Sequence, residues 1–113
     1  MEIIKQSRPN IDREVKYRLV SDPAIGKMSD NAGVTINVVD WILYETVQLS
    51  TGELQRVLAI LSDDNKAYAT NSPTFIESFE RIVECFENDF DKINVIEQKS
   101  NKGRNFLICT YAK

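Results

Sequence analysis

The chain is 113 residues long, carries a formal charge of −3, and is 42% apolar and 27% charged, which points to one soluble globular domain and excludes a disordered chain or two domains. No apolar run approaches the ~20 residues of a membrane span, and the N-terminal MEIIKQSRPN lacks the apolar h-region of a signal peptide, so a cytoplasmic location is expected. Histidine is absent, which removes the commonest general base and metal ligand.

Residues 1–33 read as an N-terminal extension, partly irregular. In EVKYRLV, Val15, Tyr17 and Leu19 alternate with Lys16 and Arg18, the pattern of a short strand. Asp22-Pro23, Gly26 and the run Ser29–Gly33 read as loop. Lys5, Arg8, Arg13, Lys16, Arg18 and Lys27 are offset by five acids. That balance fits a solvated arm, or a basic arm that closes over a ligand.

Residues 34–113 read as the domain proper. Val34–Leu49 is rich in β-branched and aromatic residues and long for a strand, and its alternation slips at Val39-Asp40-Trp41, the mark of a bulge or bend. Ser50–Glu53 is a turn, Leu54–Leu61 a second strand, Ser62–Lys66 another turn, and Ala67–Thr70 a short third strand. Small alanines at 67 and 69 suit a crowded interior, which would aim Tyr68 outward.

Ser72–Phe90 predicts the one long helix. Ile76, Phe79, Val83, Phe86 and Phe90 recur at helical spacing, with Glu77, Glu80, Arg81, Glu84 and Glu87 between them. Ser72 suits the N-cap, Pro73 the first turn, and Thr74-x-x-Glu77 has capping-box spacing. Ile93–Gln98, the polar turn Lys99–Arg104 and Asn105–Tyr111 complete the pattern as a hairpin.

Three strands, a helix and two strands is the element order of an OB-fold, a five-stranded Greek-key barrel with its helix between strands three and four. The expected class is therefore mainly β with one helix, β-β-β-α-β-β, carrying an N-terminal extension. An α+β domain with the helix laid on an open antiparallel sheet is the alternative.

Catalysis finds little support. Cys85 and Cys109 show no CxxC or Cys/His spacing and read as reduced thiols in or near the core. No phosphate-binding glycine loop or nucleophile elbow is present, and Asp63-Asp64 and Asp89/Asp91 are explained by turn and helix-end positions. No enzyme activity, metal or cofactor is expected.

Charge is segregated. Residues 63–92 carry three positive and eight negative side chains, whereas residues 93–113 carry Lys99, Lys102, Arg104 and Lys113 against Glu97 alone. On an OB-type barrel, strands two and three with the first and fourth hairpin loops form the oligonucleotide surface. Arg56, Lys66, Lys99, Lys102 and Arg104 are the expected phosphate contacts. Tyr68, then Trp41, Tyr44 and Phe106, are the candidate stacking residues, since single-strand binding needs cations for the backbone and aromatic faces for bases. Charged hairpin tips are also often only solvated, and Trp41 and Phe106 also fit a core.

The run from Lys27-Met28-Ser29-Asp30 through Tyr44, the segment Lys66-Ala67-Tyr68-Ala69-Thr70-Asn71-Ser72-Pro73-Thr74-Phe75, and Lys99-Ser100-Asn101-Lys102-Gly103-Arg104-Asn105-Phe106-Leu107 together resemble small single-stranded-DNA-binding proteins of phages and mobile elements of Gram-positive bacteria, over about residues 27–112. The resemblance implies an OB-type domain that coats single-stranded DNA, without sequence preference, during phage or plasmid replication or recombination. It also implies a frequent homo-oligomer, replication or recombination proteins as further partners, RNA as the alternative ligand, and the host cytoplasm as location. Cellular single-strand binders end in a flexible acidic tail; here the sequence stops at Lys113 directly after the last strand, so recruitment through such a tail is not expected. A rival class is a protein–protein module or inhibitor that uses the acidic helix face.

Overall fold

The longest strand organises the structure. A computed structural model describes residues 1–113 as β1 (Glu2–Gln6), α1 (Arg13–Val20), β2 (Gly26–Lys27), a 3-10 turn (Met28–Asn31), β3 (Thr35–Val47), β4 (Leu54–Ser62), β5 (Ala67–Thr70), α2 (Pro73–Phe86), β6 (Lys92–Lys99) and β7 (Asn105–Ala112). The expected order of three strands, helix and two strands is present as β3 to β7. The register of β3 against β4 slips between Val38 and Asp40, where the alternation of the sequence breaks. Beyond the bulge β3 pairs with β4 along Asp40–Val47, while its first residues, Thr35–Asn37, pair with β6. One bent strand thus joins two ribbons and curls the sheet into a half-barrel.

The sheet has seven strands, in the order β2-β5-β4-β3-β6-β7 with β1 also on β3. It is mixed, because β2 runs parallel to β5 while the other pairs are antiparallel. Two strands more than five, and a second helix, come from residues 1–33. The strand expected at EVKYRLV is corrected: it is α1. Asp12 caps it by accepting from the Glu14 N–H, and Ile11, Val15 and Leu19 at four-residue spacing all face the sheet. Tyr17, which the alternation would have buried with them, is 55% exposed.

Period-2 alternation sorts the side chains of β3, β4 and β5 into two cores. Trp41, Leu43, Leu58, Ile60 and Tyr68 point into the half-barrel, where α2 meets them with Phe75, Ile76, Phe79 and Ile82. Ile42, Tyr44, Val57, Ala59 and Leu61 point the other way, with Ala67 and Ala69, and α1 covers them. The facing expected for β5 is therefore reversed. The alanines are small to let α1 approach the outer face, and Tyr68 fills the interior.

The cap of α2 is as expected: Ser72 accepts from the Phe75 N–H and Pro73 opens the first turn. Thr74 does not form a capping box; its hydroxyl donates to the Leu107 carbonyl at 2.6 Å. The helix stops at Phe86 and not at Phe90, because Glu87 and Asn88 turn left-handed, with φ 52° and 64°. Asn88 then accepts from the Trp41 indole N–H and donates to the Ser7 carbonyl. The buried face is accordingly rotated toward Phe75 and Ile82, and leaves Phe86 exposed. Phe79 packs edge-on against Trp41 and Phe90, at 5.3 and 5.7 Å between centroids.

No pairing joins β5 to β7. The free edge of β7 is occupied by hydroxyls of α2 instead: Thr74 on the Leu107 carbonyl, and Ser78, which accepts from the Cys109 N–H at 2.9 Å. An edge satisfied by side chains has no need of another strand. The half-barrel consequently keeps an open seam between β5 and β7, beside the N-terminal turn of α2.

Candidate nucleic-acid interface

The nine candidate contact residues fall into separate places. Trp41, Tyr44 and Tyr68 are corrected: they are 4%, 9% and 8% exposed and belong to the cores. Trp41 and Tyr68 lie under α2 and Tyr44 under α1, so no base can stack on them. Burial also raises the pKa of the Tyr44 phenol. The physical reason is that the strands surrounding them are covered on both faces, and an aromatic ring there is worth more as core than as platform.

That covering also removes the surface on which the sequence argument relied. The outer face of β4 and β5 lies under α1, and the Arg18 guanidinium fastens the helix by donating to the side-chain and backbone oxygens of Asn65 in the β4–β5 turn. Beneath α1 the sheet offers Ile42, Val57, Ala59, Leu61, Ala67 and Ala69, a face without a cation. The arm is therefore part of the wall.

Lys66 is exposed in the β4–β5 turn, where its N–H donates to the Asp64 carboxylate. The hydrogen bond from Ser62, with the Lys66 N–H and ammonium, holds that carboxyl below its ordinary pKa. Arg56 sits on β4 opposite Glu45, 3.9 Å from its carboxylate. It lines a groove of about 480 Å³ shared with Glu53, Glu77 and Glu80. An arginine among four carboxylates is a poor phosphate ligand.

The remaining four come together. Lys99, Lys102, Arg104 and Phe106 all lie on the β6–β7 ribbon. The turn is closed by Ser100, whose N–H donates to the Arg104 carbonyl and whose hydroxyl accepts from the Arg104 N–H. Gly103 supplies the positive φ, 79°, that this turn requires. Arg104 and half-buried Phe106 then line the seam, a groove of about 820 Å³ lined also by Lys27 and by Asn71 to Thr74. Glu97 is its only acid. Two cations, one accessible aromatic ring, and a lining of amides and hydroxyls make a site able to hold an anionic, base-bearing strand.

Asn71 and Asn105 line this groove without having been singled out for it, and so does Lys27, which the sequence placed only among the cations of the N-terminal arm. Lys27 reaches it because Gly26–Lys27 pairs in parallel with Tyr68–Ala69, a two-residue contact with no sequence signature.

Comparison with protein-family models, curated proteins and solved structures gives no match. The chain stands on its own geometry.

Of the two cysteines, Cys109 is buried and its thiol is pushed up to about 11 by desolvation, the Ser78 hydroxyl opposing this in part. Cys85 is corrected: it is exposed on the outer side of α2. No group of three His, Cys, Asp or Glu side chains stands in metal-binding geometry, and no helix is long and apolar enough to cross a membrane.

Proposed function

We propose that this chain is an OB-type, sequence-tolerant single-stranded DNA binder, and that it takes the strand along the open seam between β5 and β7. The observation that carries this reading is the basic groove itself, lined by Lys27, Arg104 and Phe106 together with amides and hydroxyls. The OB-type assignment is supported by the order β3-β4-β5-α2-β6-β7 and by a bent β3 shared between β4 and β6. Departures from such a barrel are the open seam and the added α1, and they explain why the ligand surface moves. In an OB barrel the second and third strands present the binding face; here that face is covered.

Phosphates lie against Lys27 and Arg104 and one base stacks on Phe106. Asn71 and Asn105 are amide partners that any base edge can use, which suits binding without sequence preference. A duplex does not enter, since the stacking contact needs an unpaired base.

The test is a fluorescence-anisotropy titration of a labelled oligothymidine and a matched duplex. With two phosphates neutralised at a slope of about −0.7 each, affinity for the single strand falls about sevenfold between 50 and 200 mM salt. Lys27→Glu with Arg104→Glu abolishes that dependence together with most of the affinity. Equal binding of the duplex, or unchanged affinity in the double variant, overturns the proposal. Trp41 is buried, so its fluorescence stays unquenched even at saturation.

A further inference from the structure

The seam groove does not open onto neutral surface. Asn71 and Pro73 line both it and the groove of about 480 Å³ that holds Arg56, so the two adjoin at the N-terminus of α2. That boundary is fixed in place. The Asn71 amide nitrogen donates to the Gln55 side-chain oxygen at 3.2 Å, and Pro73 opens the helix. The seam groove is also lined by Ser100 and Arg104, whose mutual hydrogen bonds close the β6–β7 turn. Lys99 and Lys102 belong to that turn, exposed and outside the groove.

The two neighbours of the seam carry opposite charge. The groove beyond Asn71 is lined by Glu53, Glu77 and Glu80. Glu77 is paired with Arg81 at 2.7 Å, and the charge of Arg56 is offset by Glu45 at 3.9 Å. Neither Glu53 nor Glu80 has a cation within ion-pair distance, so two carboxylates stand uncompensated. The turn beside Arg104 carries two lysines, equally unpaired, and no acid. A polyanion leaving the seam is therefore repelled toward one neighbour and attracted toward the other, over about 10 Å at 0.1 M salt.

We propose that the bound strand is held asymmetrically. It continues from the seam over the Lys99–Lys102 turn, and it lifts off the protein at Asn71 and Pro73, where Glu53 and Glu80 stop it. This rests on the seam as the DNA site and gives that site its extent. Lys99 and Lys102 add two phosphate contacts to those of Lys27 and Arg104, for strands long enough to reach them. A strand confined to the seam meets only the first two. The acidic groove takes no ligand; it is a border that keeps the polyanion off the β3–β4 turn.

Anisotropy titrations with oligothymidines of about 4 and about 16 nucleotides, the span of site sizes for one OB domain, test this. Between about 50 and 200 mM salt the short strand loses about sevenfold in affinity and the long one about 50-fold, from two and four contacts at a slope of about −0.7 each. Lys99→Gln with Lys102→Gln brings the long strand down to the sevenfold response and leaves the short one as in the wild type. Glu53→Gln with Glu80→Gln lets the long strand pass Asn71. That tightens it about threefold at low salt and does not change the short one.

The extension is overturned by a long strand with the short strand's salt response, or by a lysine variant that keeps the larger one. The border is overturned by a carboxylate variant that binds the long strand no tighter, or that tightens both lengths by the same factor. A short strand whose binding ignores Lys27→Glu with Arg104→Glu overturns the seam itself, which tells the two failures apart.

Discussion

The β3–β4–β5 sheet and the β6–β7 ribbon are built from similar strands and treated in opposite ways. In the first, both faces are buried: Trp41, Leu58 and Tyr68 under α2, and Ile42, Val57 and Leu61 under α1. In the second, Val95, Leu107 and Cys109 face α2, while Asn94, Ile96, Ile108 and Thr110 on the other face have no helix over them. The tip from Lys99 to Asn105 carries almost no burial. A sheet buried on both faces has spent its side chains on stability. A ribbon buried on one face, with a charged tip, keeps side chains free for a ligand. The difference teaches that aromatic content alone does not locate a binding surface; the second layer of packing does.

Three experiments break or sharpen that contrast. The largest effects belong to the doubly covered half. Phe79→Ala removes the ring between Trp41 and Phe90 and should cost about 4 kcal/mol of stability. Leu19→Ala in α1 should cost about 3 kcal/mol, because Leu19 is buried against the outer face of the same sheet. Urea denaturation measures both. A Leu19→Ala protein as stable as the wild type would make α1 a dispensable arm and reopen the β4–β5 face as a binding surface.

The next effect is at the bulge of β3, where the slip in register turns Asp40 inward. Its carboxylate accepts two hydrogen bonds from the Arg8 guanidinium, at 2.8 and 3.0 Å, and one from the Ser7 hydroxyl. The Arg8 hydrogen bonds hold the Asp40 carboxyl below its ordinary pKa, with Ser7 assisting and desolvation opposing. The folded value lies below the unfolded one, so the contribution is fully present above about pH 3.9 and is lost as pH falls through the folded value. Arg8→Gln should lower Tm at pH 7 by on the order of 5 °C. The gap to the wild type should close in acid, where Asp40 is protonated in both proteins. A gap that is the same at pH 7 and at about pH 2 would mean that Arg8 acts by packing and not by charge.

The smallest effect on stability, and a clear one on binding, is expected on the ribbon. Phe106→Ala should leave the denaturation midpoint nearly unchanged and weaken oligothymidine binding about tenfold, the loss of one stacked base. If it instead unfolds the domain, Phe106 is core and the ribbon resembles the other half more than its exposure suggests.

Much of the architecture was legible in the residues. The strand boundaries of β3 to β7, the bend at Val39–Trp41, the Ser72 cap and the grouping of Lys99, Lys102 and Arg104 on one hairpin all follow from local signals: alternation, turn chemistry and capping, which act over a few residues. The strands β1 and β2 carried no such signal. The Arg13–Val20 segment was not legible as a helix, because Val15, Tyr17 and Leu19 satisfy period 2 while Ile11, Val15 and Leu19 satisfy a helical repeat. Eight residues do not separate the two. What decides between them is the apolar outer face of β4 and β5, which a helix of that length covers.

Sequence alone thus determined which segments after residue 33 are strands, where the main helix begins and where positive charge gathers. Tertiary structure decided which face of each strand meets solvent, since alternation names two faces without saying which is covered. It turned Tyr68 inward over the alanines, spent Trp41 and Tyr44 on packing, and brought Lys27 from the N-terminal segment into an open seam with Arg104. The seam exists because Thr74 and Ser78 satisfy the edge of β7, a long-range exchange of hydrogen bonds that no local pattern records.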